Sequence, residues 1–455
     1  MTTALALPAV TATSLSAGVV VAAVLGAAVL IGGLVVLMRA NADAFPLLAV
    51  LALPFRLPIS AEGRTVNLLI PLYLVVAAGV IAHLLPRLLR REERGLNTLE
   101  WLLLASLVLY ALQTLYSSDR GKAAENLAFF YVPFALLFVL LRDVDWRREL
   151  LLRCLGIAVA LAVIFAGIGF VEYARKELFL NPKVVAANQF DNYFRVNSLF
   201  FDPNIYGRFL ALVMIAVTAV VLWWRNTRGV LWAAAVLAWL LAGLVTSFSQ
   251  SSIAALLLGL AVLAAYRWSV RWTLYAAGGL VALALLVVLL APSSAHFGLK
   301  GNGGSANNAT TGRAKLIEGG LELFADRPLQ GFGSGSFQKE YESHSRASVE
   351  NATSASHTIP ITVAAEQGIV GLALYVVLLV VAFLVLFRGA SRSPLRIAIA
   401  ACFAALVLHT FAYADFLEDP LTWTLLGIGV ALAGAGDSDG GDSTPGERGA
   451  PAAAA

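Results

Sequence analysis

The composition of the chain indicates an integral membrane protein. Its 455 residues are 59% hydrophobic and only 13% charged, whereas soluble proteins carry about 25% charged residues. This excludes a cytosolic enzyme, a secreted disulfide-rich domain and a disordered chain. The net charge is only +4 and the basic residues flank apolar runs, which argues for membrane orientation rather than nucleic-acid binding. Cys154 and Cys402 each lie within an apolar run and indicate neither a disulfide framework nor a metal cage.

The chain order of apolar runs predicts 12 or 13 membrane-spanning helices, since each span needs about 20 mostly apolar residues. The predicted spans are 16–38, 43–56, 67–86, 99–116, 124–141, 150–171, 205–224, 229–245, 252–266, 272–291, 358–387, 396–414 and 419–435. The run 43–56 is short and contains Pro46 and Pro54, so whether it crosses fully, and hence the side of the N-terminus, stays open. We expect an all-α polytopic membrane domain over 1–435 and a disordered tail over 436–455.

Arginines distinguish the two sides of the predicted membrane domain. One set of alternate loops holds sixteen: Arg39, Arg87, Arg90, Arg91, Arg94, Arg142, Arg147, Arg148, Arg153, Arg225, Arg228, Arg267, Arg271, Arg388, Arg392 and Arg396. The opposite short loops hold only Arg56, Arg64, Arg120 and Lys122. The positive-inside rule therefore places the first set in the cytoplasm. Two longer segments, 172–204 and 292–357, then face outward, and long loops are where function is to be sought.

The first outer segment contains a candidate anion site. Arg195 stands among aromatic and aliphatic residues near the predicted membrane surface, and an arginine in such a setting requires an anionic partner. Asp202, Pro203 and Asn204 predict a turn followed by a helix start. Arg208, one turn into the next span, is a second candidate, although it could pair with Asp202 or extend to the surface. The polar run Thr246–Ser252 at the end of the eighth span is either a plain turn or part of the same polar face.

The second outer segment begins with a glycine-rich linker and continues into a predicted short amphipathic helix. Thr310 or Thr311 can cap its start, and the helix is expected to stop at Asp326-Arg327-Pro328. Arg313 then lies in the first turn, where the helix dipole disfavours a cation, and this suggests an external anion such as phosphate. The alternative is a solvated arginine.

Two further features of this segment, the run Gly331–Gly335 and His357, each allow two interpretations. The run Gly331–Gly335 resembles a phosphate cradle but follows no strand, so a turn re-entering the bundle is favoured. His357 precedes a span with Pro360 in its first turn. The positive end of that helix would keep the imidazole neutral, as a general base requires. The alternative is a capping histidine.

In order and in predicted placement, three motifs resemble the O-antigen ligase/polymerase superfamily of bacterial membrane proteins. The motifs are Arg195 with Ser198–Gly207; Arg313 with Ala325–Gly335; and His357 with Glu366–Gly371. The resemblance covers about 190–375. This chain departs from the family pattern in having Thr358 after His357 and Ser252 after Ser251, which bears on subfamily and acceptor.

The resemblance implies a GT-C-like, metal-independent, inverting glycosyltransferase without a cofactor, working at the outer face of the cytoplasmic (inner) membrane. The donor would be a glycan on undecaprenyl pyrophosphate, and the acceptor a hydroxyl of a lipid or glycan. Arg195 and Arg313 would bind pyrophosphate, and His357 would be catalytic. Supporting roles would fall to Asp202, Asn204, Arg208 and Glu366. An O-antigen polymerase or an O-oligosaccharyltransferase of the same superfamily remains an alternative, and a lipid-linked glycan flippase is the alternative from a different class.

Overall fold

The computed structural model describes residues 10–11, 17–61, 64–92, 94–179, 194–223, 227–276, 278–279, 305–345, 358–413 and 415–438. The helices are α1 (Ala17–Ala40), α2 (Ala44–Ala52), α3 (Ile70–Gly79), α4 (Leu85–Leu89), α5 (Thr98–Thr114), α6 (Arg120–Asn126), α7 (Val132–Arg142), α8 (Arg148–Arg175), α9 (Pro203–Trp223), α10 (Thr227–Thr246), α11 (Gln250–Arg267), α12 (Ser305–Asp326), α13 (Phe337–Ser345), α14 (Ile359–Phe387), α15 (Pro394–Phe411) and α16 (Pro420–Ser438).

The all-α polytopic membrane fold predicted from the sequence is confirmed. Within the described residues, nine helices are long and apolar enough to span a membrane, and α5 and Pro420–Ala435 are shorter apolar helices. Two of the nine spans contain an internal π-helical turn, at Val80–Leu84 and at Leu127–Tyr131. The tenth predicted span, 272–291, lies mostly outside the described residues, as does the predicted tail beyond Ser438.

The short run 43–56 forms a helix of only nine residues, α2. Such a helix is about 14 Å long, less than half of the hydrocarbon thickness. The segment nevertheless joins opposite ends of the bundle, because Asp43 bonds Arg147 at one end and Arg56 lines a cavity at the other.

A small sheet, which the sequence analysis did not predict, follows α2. Strands β2 (Leu57–Ala61) and β3 (Arg64–Leu68) form an antiparallel hairpin in which Ile59 pairs with Val66. The two-residue strand β1 (Val10–Thr11) pairs with β2 in parallel. The β-branched residues of the hairpin favour strands over continuation of a helix. The third span therefore begins at Ile70 rather than at 67.

The centre of the bundle is α9, which packs against α8, α10, α11 and α15. In the most apolar stretch of α9, 72% of the residues are buried inside the protein, compared with 6% for α1. The helix α9 is therefore enclosed by its neighbours. Most side chains of α1 point away from the bundle, as those of a lipid-facing helix do.

One end of the bundle is rich in arginine, and its carboxylates are matched to guanidinium groups. Asp143 pairs with Arg87 and Arg94, and Asp43 accepts from Arg147 at 2.8 Å and from Arg153 at 3.3 Å. We call this the arginine end. The start of α5 is fixed here by a capping box, in which Asn97 and Glu100 each accept the backbone N–H of the other. The opposite end, where α9, α11, α14 and α16 begin, is called the polar end.

Candidate active site

A hydrogen-bonded group that we call the Arg195 cluster stands at the polar end, where α9 begins. The Arg195 Nε donates to the Ser247 carbonyl oxygen at 3.1 Å, and its Nη2 donates to Asn204 Oδ1 at 3.2 Å. Ser249 Oγ donates to the same Asn204 oxygen at 2.9 Å, and Ser252 Oγ donates to the Asn204 carbonyl at 3.2 Å. Arg195, Asn204, Ser247, Ser249 and Ser252 thus hold the guanidinium in one orientation before any ligand arrives.

The turn before α9 is built as the sequence predicted. Asp202 Oδ1 accepts the backbone N–H of Asn204 at 2.6 Å, an Asx-type bond that orders the helix start. The polar run 246–252 is therefore more than a connection between two spans, because its hydroxyls and carbonyls bond the predicted site residues directly.

Arg208 is buried, with 1% of its surface exposed. It forms an ion pair with Asp419 at the start of α16, so the predicted alternatives, pairing with Asp202 or extending to the surface, are both wrong. Near this pair, His409 Nε2 lies 3.2 Å from Ser251 Oγ. Arg208 thereby ties the central helix to the segment between α15 and α16, and its role is to position that segment.

The segment between α15 and α16 carries two carboxylates with perturbed acidity. Burial raises the pKa of Glu418 to about 8, and the negative charge of Asp415 adds to this effect while Lys122 opposes it. Burial also raises the pKa of Asp415, and the charges of Arg208 and Arg56 offset part of that rise. Carboxyl groups with raised pKa values are typical of functional sites, although structural networks also produce them.

A cavity of about 950 Å³ opens at the polar end. Its volume lies at the upper end of the range for ligand sites, about 300–1,000 Å³. The charged and amide side chains among its lining are Arg56, Asn67, Asp119, Lys122, Glu125, Asn126, Gln338, Lys339, Glu342, Glu366, Gln367, Asp415 and Glu418, and its rings are Phe130, Tyr131, Tyr375 and Phe416. Asp415 and Glu418 line this cavity, while neighbouring Asp419 pairs with Arg208. The same short segment therefore connects the cavity to the central helix.

Asn126 links two walls of the cavity. Its Nδ2 donates to Glu418 Oε1 at 2.8 Å and to the Tyr110 hydroxyl at 3.1 Å. It is the last residue of α6, directly before the π-helical turn Leu127–Tyr131. Such turns inside α-helices occur frequently at functional sites, and here the turn places Phe130 and Tyr131 in the lining.

Glu366 holds the glycine turn Gly331–Gly335 against α14. Its carboxylate accepts the backbone N–H of Gly335 at 2.9 Å and of Phe337 at 3.0 Å. Its carbonyl accepts the N–H of Gly333 at 2.8 Å. This supports the predicted re-entering turn, because the amides that a phosphate would need are already bonded within the protein.

The close approach of this turn explains two of its glycines. Gly331 has φ +66°, and a Cβ there would lie 2.3 Å from the Glu366 carbonyl oxygen. Gly368, at φ +64°, interrupts α14 and would place a Cβ 2.3 Å from the Leu329 carbonyl oxygen. No side chain fits at either position.

The predicted catalytic residue His357 lies outside the described residues. The span after it begins as predicted, with Thr358 as the N-cap and Pro360 in the first turn of α14. His357 therefore directly precedes the N-cap in sequence, and its proposed chemistry stays a prediction.

The predicted helix around Arg313 exists but starts earlier than expected. It runs Ser305–Asp326, so its end is as predicted, while Thr310 and Thr311 lie inside it and do not cap it. Arg313 is the ninth residue of the helix and not part of its first turn, so the inference from the helix dipole is wrong. The Arg313 side chain lies outside the described part of the structure, and its pyrophosphate contact stays a prediction.

Sequence reasoning missed most of the cavity. Lys122, Asn126, Asp415 and Glu418 were assigned no role, and the resemblance did not reach them. The available signal was the presence of carboxylates and amides at predicted outer ends of otherwise apolar spans. Among the described residues, no group of three or more His, Cys, Asp or Glu side chains has an arrangement that could hold a metal ion.

Part of the chain matches a known protein family. Residues 235–376 match the O-antigen ligase family. This match confirms the predicted resemblance to the O-antigen ligase superfamily. It contains the polar run 246–252, Arg313, His357 and Glu366, whereas Arg195 and the start of α9 precede it. No curated protein matches the chain significantly.

Proposed function

We propose that this O-antigen ligase-like protein is an inverting glycosyltransferase that transfers a glycan from undecaprenyl pyrophosphate to a hydroxyl acceptor. The observation that carries the proposal is the Arg195 cluster. Ser247 of the matched O-antigen ligase region bonds the half-buried Arg195 guanidinium directly, and Ser249 and Ser252 bond its partner Asn204. A cavity large enough for substrate opens at the same polar end.

The reaction requires stabilisation of the leaving group. As the glycosidic bond breaks, its electron pair passes to the pyrophosphate oxygen, and negative charge develops there. Arg195 and Arg313 would bind that charge, with the fork of each guanidinium matching two phosphate oxygens. Fixed side chains would then do what a divalent ion does elsewhere, which is why we propose a metal-independent reaction without a cofactor.

The attacking hydroxyl must lose a proton as the new glycosidic bond forms. His357 would accept that proton at its neutral imidazole. A single in-line displacement of this kind inverts the anomeric centre. Asp202 and Asn204 support Arg195 by ordering the start of α9, Arg208 fixes the segment around Asp419, and Glu366 fixes the glycine turn.

The experiment that tests the proposal uses purified full-length protein in detergent with an undecaprenyl-pyrophosphate-linked glycan and a hydroxyl acceptor. We expect transfer without any membrane gradient, and the same rate after EDTA treatment. One added block identifies a ligase, a ladder identifies a polymerase, and a glycosylated protein identifies an oligosaccharyltransferase. Absence of transfer, together with translocation of the lipid-linked glycan in proteoliposomes, would identify a flippase. A strict and restorable Mg²⁺ requirement would contradict the arginine mechanism.

We further propose that the chain lies in the cytoplasmic (inner) membrane with its polar end outward. Cysteine introduced at Ser305 should react with an impermeant maleimide in intact spheroplasts, whereas cysteine at Ser391, beside the arginine end, should not. The reverse labelling pattern would contradict the orientation and, with it, the location of the site.

A further inference from the structure

Three buried polar atoms of residues that line the cavity have no hydrogen-bond partner among the described residues. They are Asn67 Oδ1, Asn126 Oδ1 and the Tyr375 hydroxyl. Asn126 is 4% exposed and Tyr375 is 5% exposed, and both line the cavity. A buried polar atom without a partner destabilises the fold, and in the wall of a cavity a bound ligand can complete its bonding.

The charge of the lining indicates what kind of ligand fits. Six carboxylates and three cationic side chains line the cavity, and one of those cations, Lys122, already bonds Glu125 at 2.7 Å. The lining therefore offers few cations to a pyrophosphate, because carboxyl groups outnumber cationic side chains. Carboxylate and amide oxygens are instead good acceptors for hydroxyl groups.

The bonding of Glu418 and the aromatic residues of the lining also favour a ligand that carries hydroxyl groups. Glu418 is half-buried and lines the cavity. Asn126 bonds its Oε1, which fixes the carboxyl, and no ion pair to it is formed within the described residues. Tyr131 and Phe416 add apolar surface to the same lining. A ligand with many hydroxyls and an apolar face satisfies both kinds of surface.

We propose that Asn126, Tyr375 and Glu418 form a subsite for a neutral sugar residue of the substrate, separate from the Arg195 cluster. Asn126 Oδ1 and the Glu418 carboxyl accept hydrogen bonds from sugar hydroxyls, and the Tyr375 hydroxyl supplies a further bond. That the sugar belongs to a glycosyl-transfer substrate rests on the proposed function. The shared chemistry fits a sugar of the donor or of the acceptor.

The test measures the binding of two free oligosaccharides to the full-length protein in detergent by saturation-transfer NMR titration. One probe is the glycan released by mild acid from the host's undecaprenyl-linked donor, and the other is the delipidated host acceptor. The variants are Tyr375→Phe and Glu418→Gln. The matched control is Tyr206→Phe, which also removes a buried hydroxyl without a partner in the described structure, but outside the cavity lining.

We expect wild-type protein to bind at least one probe and both cavity variants to weaken that binding about threefold to tenfold, the usual effect of one hydrogen bond. Tyr206→Phe should bind like wild type. Tyr375→Phe should unfold at no lower temperature than wild type, since the lost hydroxyl has no partner among the described residues. The probe that loses affinity identifies the donor or the acceptor as the source of the sugar. If Glu418→Gln fails to fold, Tyr375→Phe decides alone.

Wild-type protein that binds neither probe, Tyr375→Phe that binds like wild type, or an equal loss in Tyr206→Phe would each overturn the subsite. These outcomes are distinct from failure of the proposed function. Protein that binds a probe but transfers no glycan would support the subsite and contradict the proposed glycosyltransferase activity. If the wild-type protein transfers glycan and its Tyr375→Phe variant binds the probe normally, the proposed function is supported and the subsite is contradicted.

Discussion

At the arginine end of the bundle, carboxylates are matched to guanidinium groups, as Asp43 is to Arg147 and Arg153. At the polar end, six carboxyl groups line one cavity, and three buried polar atoms of its lining residues have no partner among the described residues. The first arrangement pairs its carboxylates within the protein. The second arrangement leaves bonding capacity for a substrate. The two ends therefore differ in whether their polar groups are satisfied within the protein, and the proposed subsite lies at the end where some are not.

His357→Ala should have the largest effect on glycan transfer. A general base acts only when the acceptor hydroxyl loses its proton, so transfer should slow by about 10²–10⁴-fold, while donor affinity hardly changes. Single-turnover transfer and donor titration measure the two quantities separately. Monodisperse variant protein that transfers at nearly the wild-type rate would leave His357 as a residue next to a helix cap.

A second change tests the structural role of Glu366 at the polar end. Glu366→Gln leaves one of two backbone N–H groups, those of Gly335 and Phe337, without its acceptor. We expect the free energy of unfolding to fall by about 1–3 kcal/mol. Glu342→Gln is the control, because Glu342 accepts only an exposed bond from Gln338, and it should change stability by less than about 0.5 kcal/mol. Equal melting temperatures for the two variants in detergent would contradict the role of Glu366.

The smallest effect concerns pH. The pKa of Glu418 is raised from 4.5 to about 8, so the unfolded chain loses this proton first as pH rises. Stability from this group is therefore fully present below pH 4.5 and is lost by about pH 8. Glu125, Glu366, Asp415 and Lys122 face the same carboxyl.

Glu418→Gln removes that titration but keeps the shape of the side chain. Relative to wild type, its melting temperature should rise progressively between pH 5 and pH 8, because only the wild type must bury an ionising group. A melting-temperature difference that is constant across this range would show that the pKa of Glu418 is not raised in the folded protein.

The spans were predictable because a membrane helix must satisfy its backbone internally and expose apolar side chains, and both requirements are visible in the sequence. The Arg195 cluster was predictable in part, since Arg195, Asp202 and Asn204 are neighbours in the chain. The start of α12 was not, because its first turn consists of Ser, Ala and Asn residues that resemble the preceding linker, and propensity is a weak guide there.

The cavity could not be predicted for a different reason. Asn126 and Glu418 are 292 residues apart in sequence yet share a hydrogen bond. Each is unremarkable beside its own neighbours in the chain, and only helix packing brings them together. The burial that raises the pKa of Glu418 is likewise a property of the assembled bundle and not of any local motif.

The account is tested most directly by measuring glycan transfer in detergent for Arg195→Ala and Arg147→Ala side by side. Each change removes one arginine that bonds within the protein, Arg195 at the polar end and Arg147 at the arginine end. Arg195→Ala should lower transfer about 10- to 100-fold, the value of a charge-assisted bond to phosphate, and Arg195→Lys should restore it only partly. Arg147→Ala should transfer at the wild-type rate. Equal rates for the two alanine variants would contradict the assignment of catalysis to the polar end.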